Sequence, residues 1–362
     1  MKNIVLCCDG TSNEFSKNNT NVVKLYQLLA KDPTTQVAYY HPGLGTMEAV
    51  GAITSFGRKI TKLLGLAVGY GLEDDIKAAA LFLMRTYQPG DRIFMFGFSR
   101  GAYTVRAVAS LLHMYGLIEG NNDALVPYAI RMLSALSKEG EHDRAHDAFE
   151  LASGFKQTFS GRPCPIHFVG VWDTVNSVGW ISNPLKLPYT ANNPSIEIGR
   201  HAISIDERRA FFRQNRWIPK SPDVGPRDVK QVWFPGDHCD VGGGHAEAES
   251  AQSRIALAWM VQEAMSAGLL VDPAAAAAML ADGATLAQQA NQLHDVLGRL
   301  HWWWIAEYVP KQRYDYTTHK TSWRINAGSR RTIPPGSRVH ASAYARGNDY
   351  LKRLPPDATP TS

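Results

Sequence analysis

The sequence predicts an α/β protein in which helices cover both faces of a mostly parallel central sheet. Three observations support this fold class. Short apolar runs of strand length alternate with longer helical patterns along the chain. Several of these runs end in polar or glycine-containing turns, which is typical of buried strands. Residues 97–101 read Gly-Phe-Ser-Arg-Gly between a predicted strand and a predicted helix.

The remaining elements follow from the same patterns. Strands are predicted at 3–8, 36–41, 91–96, 165–172 and 229–234. Helices are predicted at 20–30, 72–87, 102–112, 201–215, 250–267 and 273–282, and 122–160 also has a helical, charged pattern. The helix at 201–215 is inferred from its charge pattern, whereas the alanine run within 273–282 indicates high helix propensity.

The length of 362 residues is compatible with one large domain. We expect a single domain over 1–354 and a disordered tail over 355–362. The glycine-rich segment 49–71 is interpreted as a flap, with a helix and loop packed beside the sheet as the alternative. Segments 120–160 and 250–310 are interpreted as helical insertions.

Composition excludes several classes of protein. The net charge is +5, and no long basic run occurs, so nucleic-acid binding is not expected. Four cysteines without a C-x-x-C pair indicate a reducing compartment. The apolar run at the start is too short for a signal peptide, and no 18-residue apolar run is present. We expect a cytoplasmic protein as synthesised, with any export independent of a signal peptide.

The motif at 97–101 is typical of a nucleophile elbow, in which Ser99 occupies a tight strand-to-helix turn. Gly97 and Gly101 would leave room for the strand and helix to pass. The N-terminus of the following helix would favour a developing negative charge beside the serine. A chance match in a glycine-rich chain is the alternative, but the flanking strand and helix favour a catalytic serine.

A serine nucleophile needs a base, and the base needs an acid that orients it. In α/β-hydrolases these residues follow in the order Ser, Asp or Glu, His, at strand ends. Asp173 directly follows a predicted strand, and His238 follows the next suitable strand after a short turn. Asp173 could instead brace its turn. His245 lies in the same loop as His238 and is the competing base.

The oxyanion of the reaction would be bound by two backbone N–H groups. One comes from the residue after the nucleophile, here Arg100, and the second from the loop after an early strand. Gly10 and Thr11 are the candidates for the second donor, because a glycine allows close backbone approach. Asp9 could hold this loop through local hydrogen bonds.

The loop at 236–245 also contains potential metal ligands, namely Asp237, His238, Asp240 and His245. Their spacing matches no recognised metal-binding pattern, and the three glycines beside them favour close approach of another backbone segment. We therefore expect no metal, and the serine mechanism needs no cofactor.

With these residues identified, the chain resembles a known family. The matching segments are 9–11 with Asn13, 97–103 with Arg106, 170–175, 202–209, 233–243 and 338–342. They resemble an α/β-hydrolase domain (domain of unknown function 2235) that forms the catalytic part of type VI secretion phospholipase effectors of the first class. The resemblance implies an α/β-hydrolase fold, a Ser99–Asp173–His238 triad and hydrolysis of ester bonds, with glycerophospholipids as the best-known substrates. It also implies an immunity or secretion partner if the chain is a secreted effector.

A lipid substrate requires an apolar groove and contact with a membrane surface. Leu63 and Leu64, which follow two lysines, are one candidate contact. Trp302 and Trp303, within a run of three tryptophans, are the other. Packing against a neighbouring helix or a partner subunit is the alternative for the tryptophans.

Three other functions compete with a lipase. The chain could cleave small soluble esters, or it could be a binding module on the same fold without catalysis. It could also be a phosphatase with Asp9 as nucleophile, but that chemistry favours a second acid two residues later, where Thr11 stands.

Overall fold

The computed structural model of the chain describes most of its residues. These are 1–10, 18–43, 71–136, 142–175, 179–180, 183–184, 187–210, 212–218, 225–280, 293–299, 304, 307–315 and 320–362. The predicted flap at 49–71 falls almost wholly outside the described residues.

An eight-stranded sheet forms the centre of the described structure, and every strand pairing within it is parallel. Its strands are β1 (Asn3–Cys8), β2 (Gln36–His41), β3 (Arg92–Phe98), β4 (Ile166–Trp172), β5 (Ile196–Ser204), β6 (Asp228–Phe234), β7 (Arg338–His340) and β8 (Thr359–Thr361). Their order across the sheet is β8-β7-β6-β5-β4-β3-β1-β2. The predicted α/β-hydrolase fold class, with its mostly parallel sheet, is confirmed.

The helices are α1 (Asn21–Leu28), α2 (Leu72–Thr86), α3 (Arg100–Tyr115), α4 (Leu125–Ala135), α5 (His142–Phe159), α6 (His238–Gly242), α7 (Ala251–Ser266), α8 (Pro273–Leu280), α9 (Val296–Arg299), α10 (Ala341–Tyr344) and α11 (Asn348–Leu351). Two short antiparallel hairpins pair Lys311–Asp315 with Lys320–Arg324, and Gly179–Trp180 with Asn183–Pro184. A 3₁₀ turn spans Glu247–Glu249.

The sheet is buried on both faces, as the alternating contacts of β1 show. Ile4 and Leu6 belong to the apolar cluster that also contains side chains of α2, α3 and α4. Val5 and Cys7 belong to the cluster on the opposite face, with side chains of α1 and α7. Because successive strand residues point to opposite faces, helices on both sides are needed to cover such a strand. Cys7 and Cys8 are buried, free thiols.

The helix predicted at 201–215 is wrong. His201 lies inside β5, and the residues after Ser204 form an irregular segment. A central parallel strand shows no alternation of polar and apolar residues, so its pattern is hard to separate from that of a buried helix. The charges that suggested a helix serve the irregular segment, where Arg209 binds both carboxylate oxygens of Glu207.

The disordered tail predicted at 355–362 is also wrong. Thr359–Thr361 forms the edge strand β8 and pairs with β7. Pro360 is tolerated there because only one side of an edge strand needs ladder hydrogen bonds. Along the part of the chain that the structure describes, no helix has the length and apolar character needed to cross a membrane.

Candidate active site

Four neighbouring strands of the sheet place the predicted catalytic residues at their carboxyl-terminal ends. Ser99 follows β3, Asp173 follows β4, and His238 follows β6 after a three-residue turn. The strand between the last two is β5, which ends at Ser204. Because the strands are parallel, their carboxyl ends lie on the same side of the sheet, which is where α/β proteins build their sites.

Ser99 occupies a strained backbone position between β3 and α3. Its φ is 58° and its ψ is −120°, a combination that non-glycine residues rarely adopt. Its amide donates to the carbonyl of Trp172, 3.1 Å away, which ties the turn to the end of β4. The side chain is half-buried. The sharp turn therefore presents the hydroxyl at the edge of the sheet, at the positive end of the α3 macrodipole.

The two glycines of the motif are required by close backbone contacts. A Cβ at Gly97 would lie 2.5 Å from the Gly101 carbonyl oxygen. A Cβ at Gly101 would lie 2.1 Å from the carbonyl oxygen of Cys8. The start of α3 is thus packed directly against the end of β1, which brings the Asp9 and Gly10 backbone beside the turn that carries Ser99.

Asp173 and His238 form a direct hydrogen bond. The Nδ1 of His238 lies 2.6 Å from Oδ2 of Asp173, and both side chains are almost fully buried. The Nε2 of His238 is buried and makes no hydrogen bond among the described residues. The carboxylate therefore orients the imidazole through Nδ1 and leaves Nε2 as the nitrogen that can exchange a proton.

The other oxygen of Asp173 is held by β5 and by a cation. Oδ1 accepts hydrogen bonds from the Ser204 amide at 2.9 Å and its hydroxyl at 3.1 Å. Arg331 donates to both carboxylate oxygens. Burial alone would raise the pKa of Asp173, but the Arg331 charge and the His238 hydrogen bond hold that pKa well below its ordinary value.

Sequence reasoning missed Arg331, Ser204 and Phe212. Arg331 is one of two adjacent arginines in the sequence, and nothing in its local pattern links it to a residue 158 positions earlier. Phe212 packs against the His238 ring with centroids 4.6 Å apart, and Phe98 packs against the same ring with centroids 4.5 Å apart. Two apolar rings thus confine the imidazole.

A short helix fixes the backbone of His238, the first residue of α6. Asp237 caps this helix by accepting from the amides of Cys239 and Asp240, while Asp240 accepts from the amide of Asp237. This reciprocal arrangement is a capping box. A Cβ at Gly242 would overlap the Phe98 ring at 1.9 Å, so α6 sits directly on the end of β3.

His245, the competing base, lies elsewhere in the same loop. Its Nε2 is 3.4 Å from Oδ1 of Asp237 and 3.8 Å from Oδ1 of Asp240. Its ring stacks on His294 with centroids 3.7 Å apart. The geometry thus pairs His238, rather than His245, with Asp173.

The predicted oxyanion donors lie partly within the described residues. Arg100 is the first residue of α3. The Gly10 amide donates to Oδ1 of its neighbour Asp9 at 2.7 Å, and Oδ2 of Asp9 accepts from Thr20 and Tyr40. Asp9 therefore holds the loop through local hydrogen bonds, and one candidate donor is engaged. Thr11 lies outside the described residues.

The predicted substrate contacts Leu63, Leu64, Trp302 and Trp303 also lie outside the described residues. Their neighbour Trp304 is half-buried and packs, with Phe212, against Leu297. The last tryptophan of the run is thus connected by packing to the ring that contacts His238.

Comparison with known proteins places the chain in a family. The model described as "T6SS, Phospholipase effector Tle1-like, catalytic domain" matches residues 2–263. The uncharacterized protein YEL023C of Saccharomyces cerevisiae is 38% identical over 226 residues, which cover 60% of this chain and 33% of that protein. The chain thus spans about a third of the length of this curated relative.

Two solved structures are similar at low identity. An uncharacterized protein from Pseudomonas aeruginosa has a TM-score of 0.47 and 21% identity, covering 82% of this chain and 52% of that one. The Tle1 effector bound to the VgrG spike of the type 6 secretion system has a TM-score of 0.44 and 15% identity, covering 91% and 90%. Because the family model matches well over half of its residues, the chain belongs to the Tle1-like family of type VI secretion phospholipase effectors, matched over the catalytic domain.

Proposed function

We propose that the protein is a serine hydrolase that cleaves the carboxylic ester bonds of glycerophospholipids. The observation that carries the proposal is the 2.6 Å contact between His238 Nδ1 and Asp173 Oδ2, at the sheet edge where Ser99 occupies its strained turn. Membership of a phospholipase effector family supports lipids as the substrate class.

In the proposed reaction, the Ser99 hydroxyl turns toward the Nε2 of His238 when substrate binds. Ser99 Oγ attacks the ester carbonyl carbon, and its proton passes to Nε2. Asp173 keeps Nδ1 protonated and stabilises the imidazolium. As the carbon–oxygen bond of the ester breaks, His238 returns the proton to the leaving alcohol oxygen. Water then attacks the acyl-enzyme with His238 again as base, which releases a fatty acid and restores Ser99.

The oxyanion would be bound by the Arg100 N–H and by the backbone at 9–11. Gly10 donates to Asp9 in the structure, so it would have to leave this carboxylate before it could serve. Thr11 is therefore the better second candidate. The loss of one oxyanion donor typically lowers turnover by about 10²–10³.

The proposal includes contact between the enzyme and a lipid surface. A phospholipase must meet a lipid surface, and Leu63, Leu64, Trp302 and Trp303 are the proposed contacts. Trp302→Ala and Trp303→Ala should weaken binding to phospholipid vesicles, and unchanged binding would contradict these contacts.

By analogy with the effectors of the family, we also propose export without a signal peptide, together with a secretion or immunity partner.

The decisive experiment measures fatty-acid release from a panel of phospholipid vesicles, lysolipids and short soluble esters. The full chain should release fatty acid from phospholipids, and Ser99→Ala should abolish release. Ser266→Ala serves as the matched control, because this exposed serine on α7 donates to a carbonyl of its own helix. A fluorophosphonate probe should label the wild type and Ser266→Ala, but not Ser99→Ala.

The alternatives predict different results. Hydrolysis of the soluble esters without action on lipids would indicate a small-ester esterase. Neither labelling nor hydrolysis would indicate a binding module on the same fold. Phosphate release from a phosphate monoester that survives Ser99→Ala but is lost in Asp9→Asn would indicate the phosphatase-like use of Asp9.

A further inference from the structure

A second cluster of titratable side chains lies behind α6, next to the proposed active site but not part of it. Asp240, His245 and His294 each offer one ligand atom, and these atoms all lie within 4.8 Å of one another. Asp237 belongs to the same cluster, because its Oδ1 is 3.4 Å from Nε2 of His245. The cluster therefore offers one nitrogen from each histidine and one carboxylate oxygen from Asp240, and the Asp237 carboxylate lies beside His245.

The cluster contains two buried carboxylates. Asp237 and Asp240 are almost fully buried. The nearby guanidinium of Arg209 is bound to both carboxylate oxygens of Glu207. Oδ2 of Asp237 is buried and has no hydrogen-bond partner among the described residues. A buried carboxylate oxygen without a partner is costly, and a cation satisfies it.

His294 has the surroundings of a metal ligand. Its Nδ1 faces Oδ1 of Asp240, while its Nε2 lies 3.3 Å from Oε2 of Glu249. Metal-binding histidines usually donate their second ring N–H to a carboxylate, which fixes the tautomer and turns the other nitrogen toward the ion. Glu249 is placed to accept that bond.

We propose that Asp237, Asp240, His245 and His294 form a binding site for a divalent transition-metal ion such as Zn²⁺. Two imidazoles and two carboxylates supply four donors for a tetrahedral ion, and the two negative charges neutralise it. The proposal revises the sequence-based expectation of no metal. That expectation considered His238, which the structure pairs with Asp173, and it did not include His294.

Binding requires the ligands to rearrange and releases a proton. Asp240 Oδ1 lies 2.6 Å from His294 Nδ1, whereas two ligands of one zinc ion are separated by about 3.3 Å at bond lengths near 2.0 Å. These two atoms must therefore move apart by about 0.7 Å. The rings of His245 and His294, which stack with centroids 3.7 Å apart, must also turn so that one nitrogen of each faces the ion. The proton on His294 Nδ1 leaves to solvent, and the nitrogen lone pair binds the ion.

The ion would act on α6 rather than on the ester. Asp237 and Asp240 form the capping box that starts this helix, and His238 is its first residue. His294, from the segment before α9, would be joined to that helix through the ion as well as through its amide, which donates to Asp240 at 3.0 Å. The metal would thus stabilise the backbone that carries His238.

The test uses the purified full chain after treatment with a strong chelator. Zn²⁺ titrated by calorimetry should bind with one ion per chain and release protons. Co²⁺ should produce the intense visible absorption of a tetrahedral site. His294→Ala and His245→Ala should lose both signals. Glu249→Gln should weaken Zn²⁺ binding by about 10- to 100-fold, because it removes only the orienting carboxylate.

His167→Ala is the matched control. His167 also contacts a carboxylate, Glu197 at 2.7 Å, but lies on β4 away from the cluster. It should retain one Zn²⁺ and the Co²⁺ spectrum. Asp237→Asn, which keeps the size of the side chain, provides a second ligand variant in case the histidine variants fail to fold. The proposal would be overturned if the wild type gave no Zn²⁺ or Co²⁺ signal. It would also be overturned if Asp237→Asn and the histidine variants gave signals as strong as those of the wild type.

Discussion

Arg331 binds both carboxylate oxygens of Asp173, with Nη2 3.0 Å from Oδ2 and Nη1 bonded to Oδ1. The Arg331 side chain is 5% exposed and that of Asp173 is fully buried. The same carboxylate also holds His238. The Asp173 carboxylate therefore orients the His238 imidazole. Arg331, which also donates to the Phe212 carbonyl, holds that carboxylate in place.

Arg331→Met should destabilise the protein strongly. Removal of one partner from a buried ion pair leaves an uncompensated charge and typically costs about 3–5 kcal/mol. We expect a loss of this size in the free energy of unfolding, measured by urea denaturation. Arg331→Lys should lose less, because it keeps the charge but not the paired geometry.

The matched control is Arg85→Met. Arg85 also pairs with a carboxylate, Asp123, but both side chains are largely exposed. Exposed pairs contribute at most about 1 kcal/mol. Equal losses in the two variants would contradict the role assigned to Arg331.

The stability of the protein should depend on pH through Asp173. The pKa of Asp173 is lowered in the folded state relative to an unfolded value of about 3.9. Its contribution is therefore present above the unfolded pKa and is lost as pH falls toward the folded pKa. Asp173→Asn should be less stable than wild type at neutral pH, and the difference should shrink steadily below about pH 4. Urea denaturation across this range tests it, and a difference that is constant with pH would refute it.

Asp173→Asn should also reduce turnover without preventing substrate binding. An asparagine in this position no longer imposes the required tautomer on His238, and in a comparable triad this substitution lowers kcat about 10⁴-fold. KM should change far less than kcat. Steady-state kinetics on a phospholipid that the wild type cleaves would measure the split, and a change confined to KM would argue against an orienting role.

His238→Ala should remove nearly all hydrolytic activity. The base assignment depends on its contact with Asp173, which His245 does not make. His245→Ala should retain more activity than His238→Ala, since it loses no contact with Asp173. His167→Ala, on β4, controls for the removal of an imidazole in general. If His245→Ala were inactive while His238→Ala remained active, the assignment would be wrong.

Gly101→Ala should prevent correct folding. Its Cβ would stand 2.1 Å from the Cys8 carbonyl oxygen, and backbone on both sides cannot yield without separating α3 from β1. Gly154→Ala is the control, because a Cβ there meets nothing within 4 Å and the residue lies inside α5. Alanine in a helix interior is favoured over glycine by roughly 0.5–1 kcal/mol. Thermal unfolding should therefore show a large loss for Gly101→Ala and a small gain for Gly154→Ala.

Local pattern predicted most of the sheet. The runs that became β1, β2, β3, β4 and β6 are apolar and end in recognisable turns, so period and punctuation together were sufficient. The strand around His201 was missed because a strand buried on both faces has no alternation. The edge strand at Thr359–Thr361 was missed because its short polar sequence takes its structure from β7 rather than from its own propensity.

For the candidate site, chain order was informative, but long-range contacts were not readable. Asp173 directly follows its strand and His238 follows its strand after a three-residue turn, and strand ends converge in a parallel sheet. Arg331 and His294 come from segments that fold back onto the site from far along the chain. Neither residue lies in a local sequence pattern that specifies its partner, so these contacts can be seen only in the three-dimensional structure.

The position of Arg331 in the chain has a consequence for synthesis. A ribosome has completed Ser99, Asp173 and His238 well before it reaches residue 331. Until then the Asp173 carboxylate lacks its guanidinium partner, and β6 has no β7 and β8 beside it. The nascent chain therefore holds every proposed reacting group before it holds the cation that stabilises their arrangement. Maturation of the centre must therefore await the return of the segment that carries Arg331.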